Sequence, residues 1–203
     1  MGDTPIVYVV DDDESLSAAL GSLFRSVGLE VRNYASVQDF LSATSGEEPG
    51  CLVLDVRLPG LSGLDFQDRL DEFGIALPVV LMTGYGDIPM SVRAMKAGAI
   101  DFLAKPFRDQ DMLDAVAAAI ERDRDRRLKE EGEAALRARY ATLSPREQQV
   151  MALITAGKMN KQAAGDLGIS EITVKIHRGA AMRKMGARTL ADLVRMAEAL
   201  GTN

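Results

Sequence analysis

Tryptophan is absent from the 203 residues, and histidine and cysteine occur once each, as His177 and Cys51. A single cysteine excludes an internal disulfide, in keeping with a reducing compartment, and one histidine with one cysteine leaves no ligand set of the zinc-binding type. Cys51 opens an apolar run and reads as a small core residue. Aromatic residues make up only 5% of the chain, so its cores must rest on Val, Leu, Ile, Met and Ala, which a hydrophobic content of 47% supplies. No run approaches the ~18 apolar residues of a membrane span. The first residues also lack a basic region followed by an apolar stretch, so the expectation is a cytoplasmic protein without a membrane partner. No repeat or low-complexity tract is present.

The charge is unevenly distributed. Residues 1–128 carry 12 Lys and Arg against 22 Asp and Glu, a net −10, whereas residues 129–203 carry 12 against 8, a net +4. The length fits one to two domains. An acidic part joined to a basic one suggests two domains with different partners, the basic one being a candidate for nucleic acid.

Strand candidates at 6–10, 30–34, 51–54, 78–82 and 100–103, most of them short apolar runs, alternate with helical patterns at 14–27, 36–44, 62–73, 87–97 and 109–128. This alternation predicts an α/β fold, a doubly wound five-stranded parallel sheet with helices on both faces. Ligands of such sheets bind at the carboxyl ends of the strands. The run Ile6–Val10 ends there in Asp11, Asp12 and Asp13, and Cys51–Leu54 ends in Asp55 before the turn signal Arg57-Leu58-Pro59-Gly60. Thr83 and Lys105 follow the fourth and fifth runs. Like charges crowded at one sheet edge repel and are best tolerated around a hard cation, so Asp11, Asp12 and Asp55 form a candidate Mg²⁺ site. A carboxylate can also act as a nucleophile toward phosphorus. A divalent cation, the Lys105 ammonium and the Thr83 hydroxyl would then offset the charge on the phosphoryl oxygens.

Residues 121–142 are highly charged and mostly helix-forming, and read as a solvated helical linker broken or weakened at Gly132. Their apolar spacing is too irregular for a coiled coil. Beyond them the chain turns to short helices. Ser144-Pro145-Arg146-Glu147 is a capping box, a helix closes at Gly157, and a short one from Lys161 to Leu167 stops at Gly168. Ser170 caps a helix over 171–185, and Thr189 caps a last one with an apolar stripe, which is either domain core or a dimerisation face. Two short helices joined through Leu-Gly-Ile-Ser form a helix-turn-helix candidate with 171–185 as recognition helix. The basic side chains on that helix suit phosphate neutralisation. Its first half supplies base-reading candidates in Glu171, Thr173, Lys175 and Arg178, with Asn160, Lys161 and Lys184 as phosphate contacts. His177 reads as a phosphate contact or a partly packed residue.

Four segments, Val9-Val10-Asp11-Asp12, Leu54-Asp55-Val56-Arg57-Leu58-Pro59-Gly60, Met82-Thr83-Gly84-Tyr85-Gly86-Asp87 and Ile100-Asp101-Phe102-Leu103-Ala104-Lys105-Pro106-Phe107, occur in order, each at its own strand end. Over residues 1–120 the pattern resembles the receiver domain, of flavodoxin-like fold, of a two-component response regulator. The resemblance implies Asp55 as phospho-acceptor, with Asp12 a direct Mg²⁺ ligand, Asp11 acting mainly through water and the Arg57 carbonyl completing the protein ligands. Thr83 and Lys105 would bind the phosphoryl oxygens, and the Lys105–Pro106 peptide would be cis. In that family a switch couples the threonine to an aromatic on the fifth strand. Here it is Phe102 rather than the commoner tyrosine, and it is either a switch or static core. Tyr85 is a loop aromatic, either merely exposed or gating.

The last domain, 143–203, resembles over about 143–200 the helix-turn-helix of NarL/FixJ/LuxR-type regulators, through Leu143-Ser144-Pro145-Arg146-Glu147, Asn160-Lys161, Leu167-Gly168-Ile169-Ser170 and Thr173-Val174-Lys175-Ile176-His177. Together the two parts are similar to the FixJ subgroup. Ala163 stands where that family usually has Ile, and Met159 where Ser or Pro is common. The combined resemblance implies a DNA-binding transcriptional regulator that accepts phosphate from a sensor histidine kinase, then forms a homodimer on a two-fold operator, with RNA polymerase as a further partner. The receiver would catalyse only its own phosphorylation and dephosphorylation. Two other readings are a phosphatase of doubly wound fold acting on external substrates and a C-terminal output that docks protein or RNA.

Overall fold

The five strand candidates form one sheet, four of them largely apolar and the edge strand Glu30–Tyr34 mostly polar. The computed structural model describes residues 4–44 and 46–202, and the chain divides into two compact units, Met1–Arg126 and Arg127–Asn203. In the first, β1 (Ile6–Val10), β2 (Glu30–Tyr34), β3 (Gly50–Asp55), β4 (Val79–Thr83) and β5 (Asp101–Ala104) pair in parallel in the order β2-β1-β3-β4-β5. The order reverses at β1, so the carboxyl ends of β1 and β3 lie side by side, with Val10 opposite Leu54 and Asp55 opposite Met82. Parallel strands are buried on both faces, which is why β1 and β3 are continuous apolar runs rather than alternating ones.

Side chains nevertheless alternate between two cores. Ile6, Tyr8, Val10, Leu52, Leu54, Val79 and Leu81 pack on one face with helices α2 (Val37–Ala43), α3 (Gly63–Gln67) and α4 (Ile88–Lys96). Val7, Val9, Cys51, Val53, Val80 and Met82 pack on the other with α1 (Glu14–Ser26) and α5 (Asp109–Ala141). Cys51 is core as expected, and burial pushes its thiol up to about 12, with the nearby Asp123 charge adding to the shift. Such a thiol is unreactive.

Two elements depart from the sequence expectation. The helix expected over 62–73 is α3 followed by a separate 3₁₀ turn at Leu70–Phe73, closed by Gly74 in the left-handed conformation. Its start is fixed by Gly63, where a Cβ would lie 2.1 Å from the Asp55 carbonyl oxygen, so only glycine lets the chain return this close to the strand it has just left. The second departure is α5, which runs 33 residues as one helix straight through Gly132. A mid-helix glycine costs roughly 1 kcal/mol relative to alanine. That cost is too small to interrupt a helix carrying good helix formers on both sides.

In the second unit, α6 (Pro145–Thr155), α7 (Asn160–Leu167), α8 (Glu171–Met185) and α9 (Leu190–Leu200) follow the expected stops and starts. The capping box forms, with the Glu147 N–H donating to Ser144 Oγ at 3.3 Å and the Ser144 N–H donating to Glu147 Oε2 at 2.7 Å. Val150, Ile154, Ala163, Ala164 and Val174 knit α6, α7 and α8 together. Ala163 is fully buried there, so a small residue fills the position. Leu193 and Ala197 of α9 are buried against Leu143, Met151, Ala181 and Met185, with Leu200 packed beside them, so this part of the apolar stripe is domain core, while Leu190 at its start is exposed.

Candidate functional site

The acidic run after β1 separates into three tasks. Asp13 caps α1, its carboxylate accepting the N–H groups of Ser15 and Leu16. Its position just before the amphipathic stretch is a capping signal, which the reading of Asp11–Asp13 as one charge cluster passed over. Asp11 is buried, accepting the Asp13 N–H at 2.8 Å through one oxygen and the Lys105 ammonium at 2.7 Å through the other. Asp12 is exposed.

Asp55 is the last residue of β3 and only 6% exposed. Lys105 Nζ reaches its Oδ2 at 3.1 Å, so one ammonium bridges two carboxylates brought in by β1 and β3. Asp55 Oδ1 is buried with no hydrogen-bond partner. Burial pushes the Asp55 carboxyl above the ordinary carboxylate range, with Lys105 opposing and the Asp11 charge adding to the shift. Burial works against the Lys105 ammonium, but hydrogen bonds and charge from Asp11 and Asp55 outweigh it and hold its pKa above that of ordinary lysine. Carboxylate oxygens of Asp11, Asp12 and Asp55 lie within 4.8 Å of one another. Three carboxylates at this spacing, Asp55 among them with one oxygen buried and otherwise unsatisfied, fit a hard divalent cation that keeps part of its water shell.

Thr83 ends the neighbouring β4, fully buried, and its Oγ1 accepts the Tyr85 N–H at 3.3 Å. The Lys105 N–H donates to the Thr83 carbonyl at 2.7 Å, which ties the end of β5 to the end of β4, and the Lys105–Pro106 peptide is cis. Phe102 is half-buried on the same face of the sheet as Leu81, its partner in register. Gly86 comes between Thr83 and this ring: a Cβ there would lie 2.9 Å from Phe102 Cε1 and 3.2 Å from Thr83 Cγ2. Gly86 lies within the Met82–Asp87 segment that follows β4, but only the fold shows that Phe102 comes to meet it. The Arg57 guanidinium stacks over the exposed Tyr85 ring at 4.2 Å, so the loops after β3 and β4 touch beside the acidic cluster.

On the helix-turn-helix unit the sequence candidates are dispersed. Glu171 and Lys175 form an exposed pair at 3.6 Å along α8, while Thr173 shares its hydroxyl with the cap at Ser170. Arg178 turns toward α7 and donates to Asn160 Oδ1 at 3.4 Å. Lys161 is exposed. Lys184 is held within the domain, its ammonium 2.6 Å from Glu147 and 3.1 Å from the Thr142 carbonyl oxygen. Two side chains outside the candidate set, Ile172 and Ile176, are 71% and 64% exposed on the same helix. Nothing in the sequence marks them as exposed, since an apolar residue in a helix ordinarily belongs to the core.

A parallel sheet with a carboxylate cluster and a lysine at its carboxyl edge, followed by a helix-turn-helix, defines the class of protein. Residues 7–117 match the response regulator receiver domain, and residues 141–197 match the bacterial regulatory proteins of the luxR family. The chain belongs to the NarL/FixJ family of response regulators, which are phosphorylation-dependent transcriptional regulators. It is 59% identical to Nodulation protein W of Bradyrhizobium diazoefficiens over 196 residues, covering 97% of this chain and 86% of that one. It is 44% identical to the transcriptional regulatory protein FixJ of Azorhizobium caulinodans, covering 94% and 90%. Among solved structures it resembles the response regulator StyR, with a TM-score of 0.85 and 47% identity over 96% of this chain and 98% of that one. Full-length FixJ from B. japonicum gives a TM-score of 0.59 at 39% identity, covering 99% of each chain. The two domains imply a sensor kinase and DNA as partners, and the class is that of a transcription regulator rather than an enzyme of metabolism. Among the described residues no helix is long and apolar enough to cross a membrane.

Proposed function

We propose that Asp55 is the phospho-acceptor of this regulator and that its phosphorylation governs the affinity of the C-terminal domain for DNA. The observation that carries this reading is the unsatisfied, buried Oδ1 of Asp55 beside the bridging Lys105 ammonium. Oδ1 has the free lone pairs of a nucleophile. Its attack on the phosphorus of a kinase phosphohistidine forms a P–O bond as the P–N bond breaks, and the released imidazole takes up a proton. Mg²⁺ held by Asp11, Asp12, Asp55 and the Arg57 carbonyl would neutralise the phosphoryl oxygens.

Lys105 then exchanges a carboxylate partner for a phosphoryl oxygen, while the Thr83 hydroxyl turns from the Tyr85 N–H to another. Movement of Thr83 vacates space beside Gly86 into which Phe102 can turn, which carries the change to the surface of α4, β5 and α5. The receiver spans 1–120, the linker 121–142 and the DNA-binding domain 143–203. The phosphorylated protein, cytoplasmic, dimerises and binds a two-fold operator with half-sites about one helical turn, ~34 Å, apart. There it contacts RNA polymerase. The receiver chemistry is confined to its own phosphorylation and dephosphorylation. Glu171, Thr173, Lys175 and, on leaving Asn160, Arg178 serve the bases, and Asn160, Lys161 and, on leaving Glu147, Lys184 the backbone phosphates.

The test is Asp55→Asn in the full chain with Mg²⁺ and acetyl phosphate. The wild-type chain should gain acid-stable, base-labile phosphate and shift to dimer in sedimentation, and the variant should do neither. Phosphate-dependent dimerisation that survives in Asp55→Asn would refute the assignment. Lys175→Ala should weaken specific binding more than binding to unrelated DNA.

A further inference from the structure

The recognition helix has an apolar stripe that faces away from its own domain. Val174, Ala181 and Met185 bury one side of α8. At 3.6 residues per turn, Ile172, Ile176, Gly179 and Arg183 fall at i, i+4, i+7 and i+11 on the opposite side. Ile172 and Ile176 are among the most exposed large hydrophobics of the second unit. Neither has a local structural task. The helix is capped by Ser170, its core contacts are made by Val174, Ala181 and Met185, and isoleucine is a poorer helix former than alanine.

We infer that Ile172 and Ile176 read thymine C5-methyl groups in the major groove, so that operator recognition rests on apolar contacts as well as on the polar side chains of α8. The inference rests on the reading of α8 as recognition helix. Its chemistry follows from what the groove displays: among base edges the thymine methyl is the one apolar group, and side-chain methyls contact it. Isoleucine is almost fixed at χ1 within a helix, so it offers such a methyl a pre-set surface at little cost in entropy. Gly179, next along the stripe, adds no side chain, and a Cβ built on it would meet nothing nearer than Arg183 Nη1 at 3.6 Å. The surroundings favour DNA over a protein partner. The two isoleucines are flanked by the Glu171–Lys175 pair and the exposed Arg183, so the apolar area is two side chains wide. A stable protein interface needs roughly 800 Å² per partner with an apolar centre.

The experiment uses the full chain with Mg²⁺ and acetyl phosphate to select duplexes from a random library. The selected duplex is then remade with each thymine replaced in turn by deoxyuridine, which deletes only the methyl. The expected result is a loss of about fourfold in affinity for each methyl that is read, the factor for about 0.8 kcal/mol per buried carbon group. Ile172→Ala and Ile176→Ala should each abolish the thymine–uracil difference at one position, while binding the uracil duplex within about twofold of wild type and keeping helical content by circular dichroism. Indifference of the wild-type chain to every replacement would overturn the inference. So would equal losses by the alanine variants on thymine and uracil duplexes, the result expected if the stripe meets another protein surface. Failure to enrich any duplex would defeat the DNA-binding reading itself and this inference with it.

Discussion

Asp123, on α5, accepts the main-chain N–H of Gly50 through Oδ2 at 3.0 Å, joining residues 73 positions apart at the amino end of β3. The carboxylate is buried, and its other oxygen accepts from Arg126 at 2.6 Å. Asp55 terminates the same strand at its carboxyl end. The strand is therefore pinned at its amino end by a charge and terminates in the reactive group at the other.

Asp123→Ala should lower the stability of the full chain by about 2 kcal/mol, since it leaves a buried N–H without an acceptor. Asp123→Asn, which keeps a carbonyl oxygen in place, should lose less. Urea unfolding followed by circular dichroism measures both, and equal losses would show that charge rather than the hydrogen bond matters.

Lys105→Met should slow phosphorylation by acetyl phosphate by about 100-fold, the scale for deleting one preorganised electrostatic donor. Asp11 and Asp55 would also face each other without their shared cation, so Asp55 should be protonated at higher pH than in wild type. Incorporation of labelled phosphate against time gives the first quantity, and carboxyl titration by NMR the second.

Gly86→Ala places a methyl within van der Waals contact of Phe102 and Thr83. Overpacking of this kind costs about 1–3 kcal/mol in a closed core. The cost should sit at the low end here because the Phe102 ring is half-buried and can turn outward. Phe102→Ala should relieve it, so a double-mutant cycle should show a coupling of at least about 0.5 kcal/mol. The ratio of operator affinities with and without phosphodonor should also fall in Gly86→Ala. Additive stabilities in the cycle would exclude direct contact as the link.

Glu147 supplies a pH signature for the second unit. Lys184 first, and then the Ser144 N–H, hold its carboxyl below the usual glutamate range. A carboxyl depressed on folding binds its proton more tightly when unfolded, so its contribution to stability is present above its unfolded value and is lost as pH falls through the folded one. The protection factors of the α6 amides, exchange rates taken relative to the unfolded chain at the same pH, should fall as the pH is lowered below about 4.5, the ordinary glutamate value. In Lys184→Gln the loss should begin at the same pH but be smaller and be complete at a higher pH, because only the folded value moves up. An unchanged profile would mean that the ion pair is not maintained in solution.

Apolar runs and helical periodicity, joined in the second unit by caps and glycine stops, placed five strands and seven of the nine described helices near their observed positions, because buried parallel strands favour apolar runs and amphipathic helices a 3.6-residue repeat. The same runs located Asp11, Asp55, Thr83 and Lys105 at strand ends. Caps at Ser144, Ser170 and Thr189 were legible because they are local, each side chain bonding a backbone N–H three residues on. The sequence misled at Gly132, where a single weak helix former was given too much weight against thirty-odd favourable neighbours. It misled again over 62–73, where the close return of Gly63 to β3 is a tertiary fact.

What the sequence by itself determined is the order of elements, the residues at the sheet edge and the basic character of the C-terminal helices, all consequences of local spacing and composition. Only the tertiary structure decided which neighbours those residues have. The reversal of strand order at β1 sets Asp11 beside Asp55, and β5 brings Lys105 to both. The fold likewise leaves Asp55 Oδ1 buried without a partner, turns Asp13 into a cap and holds Lys184 on Glu147. It also leaves Ile172 and Ile176 facing outward on the recognition helix. Charge repulsion, burial and unsatisfied lone pairs belong to pairs of atoms in space, and spacing along the chain does not set those distances.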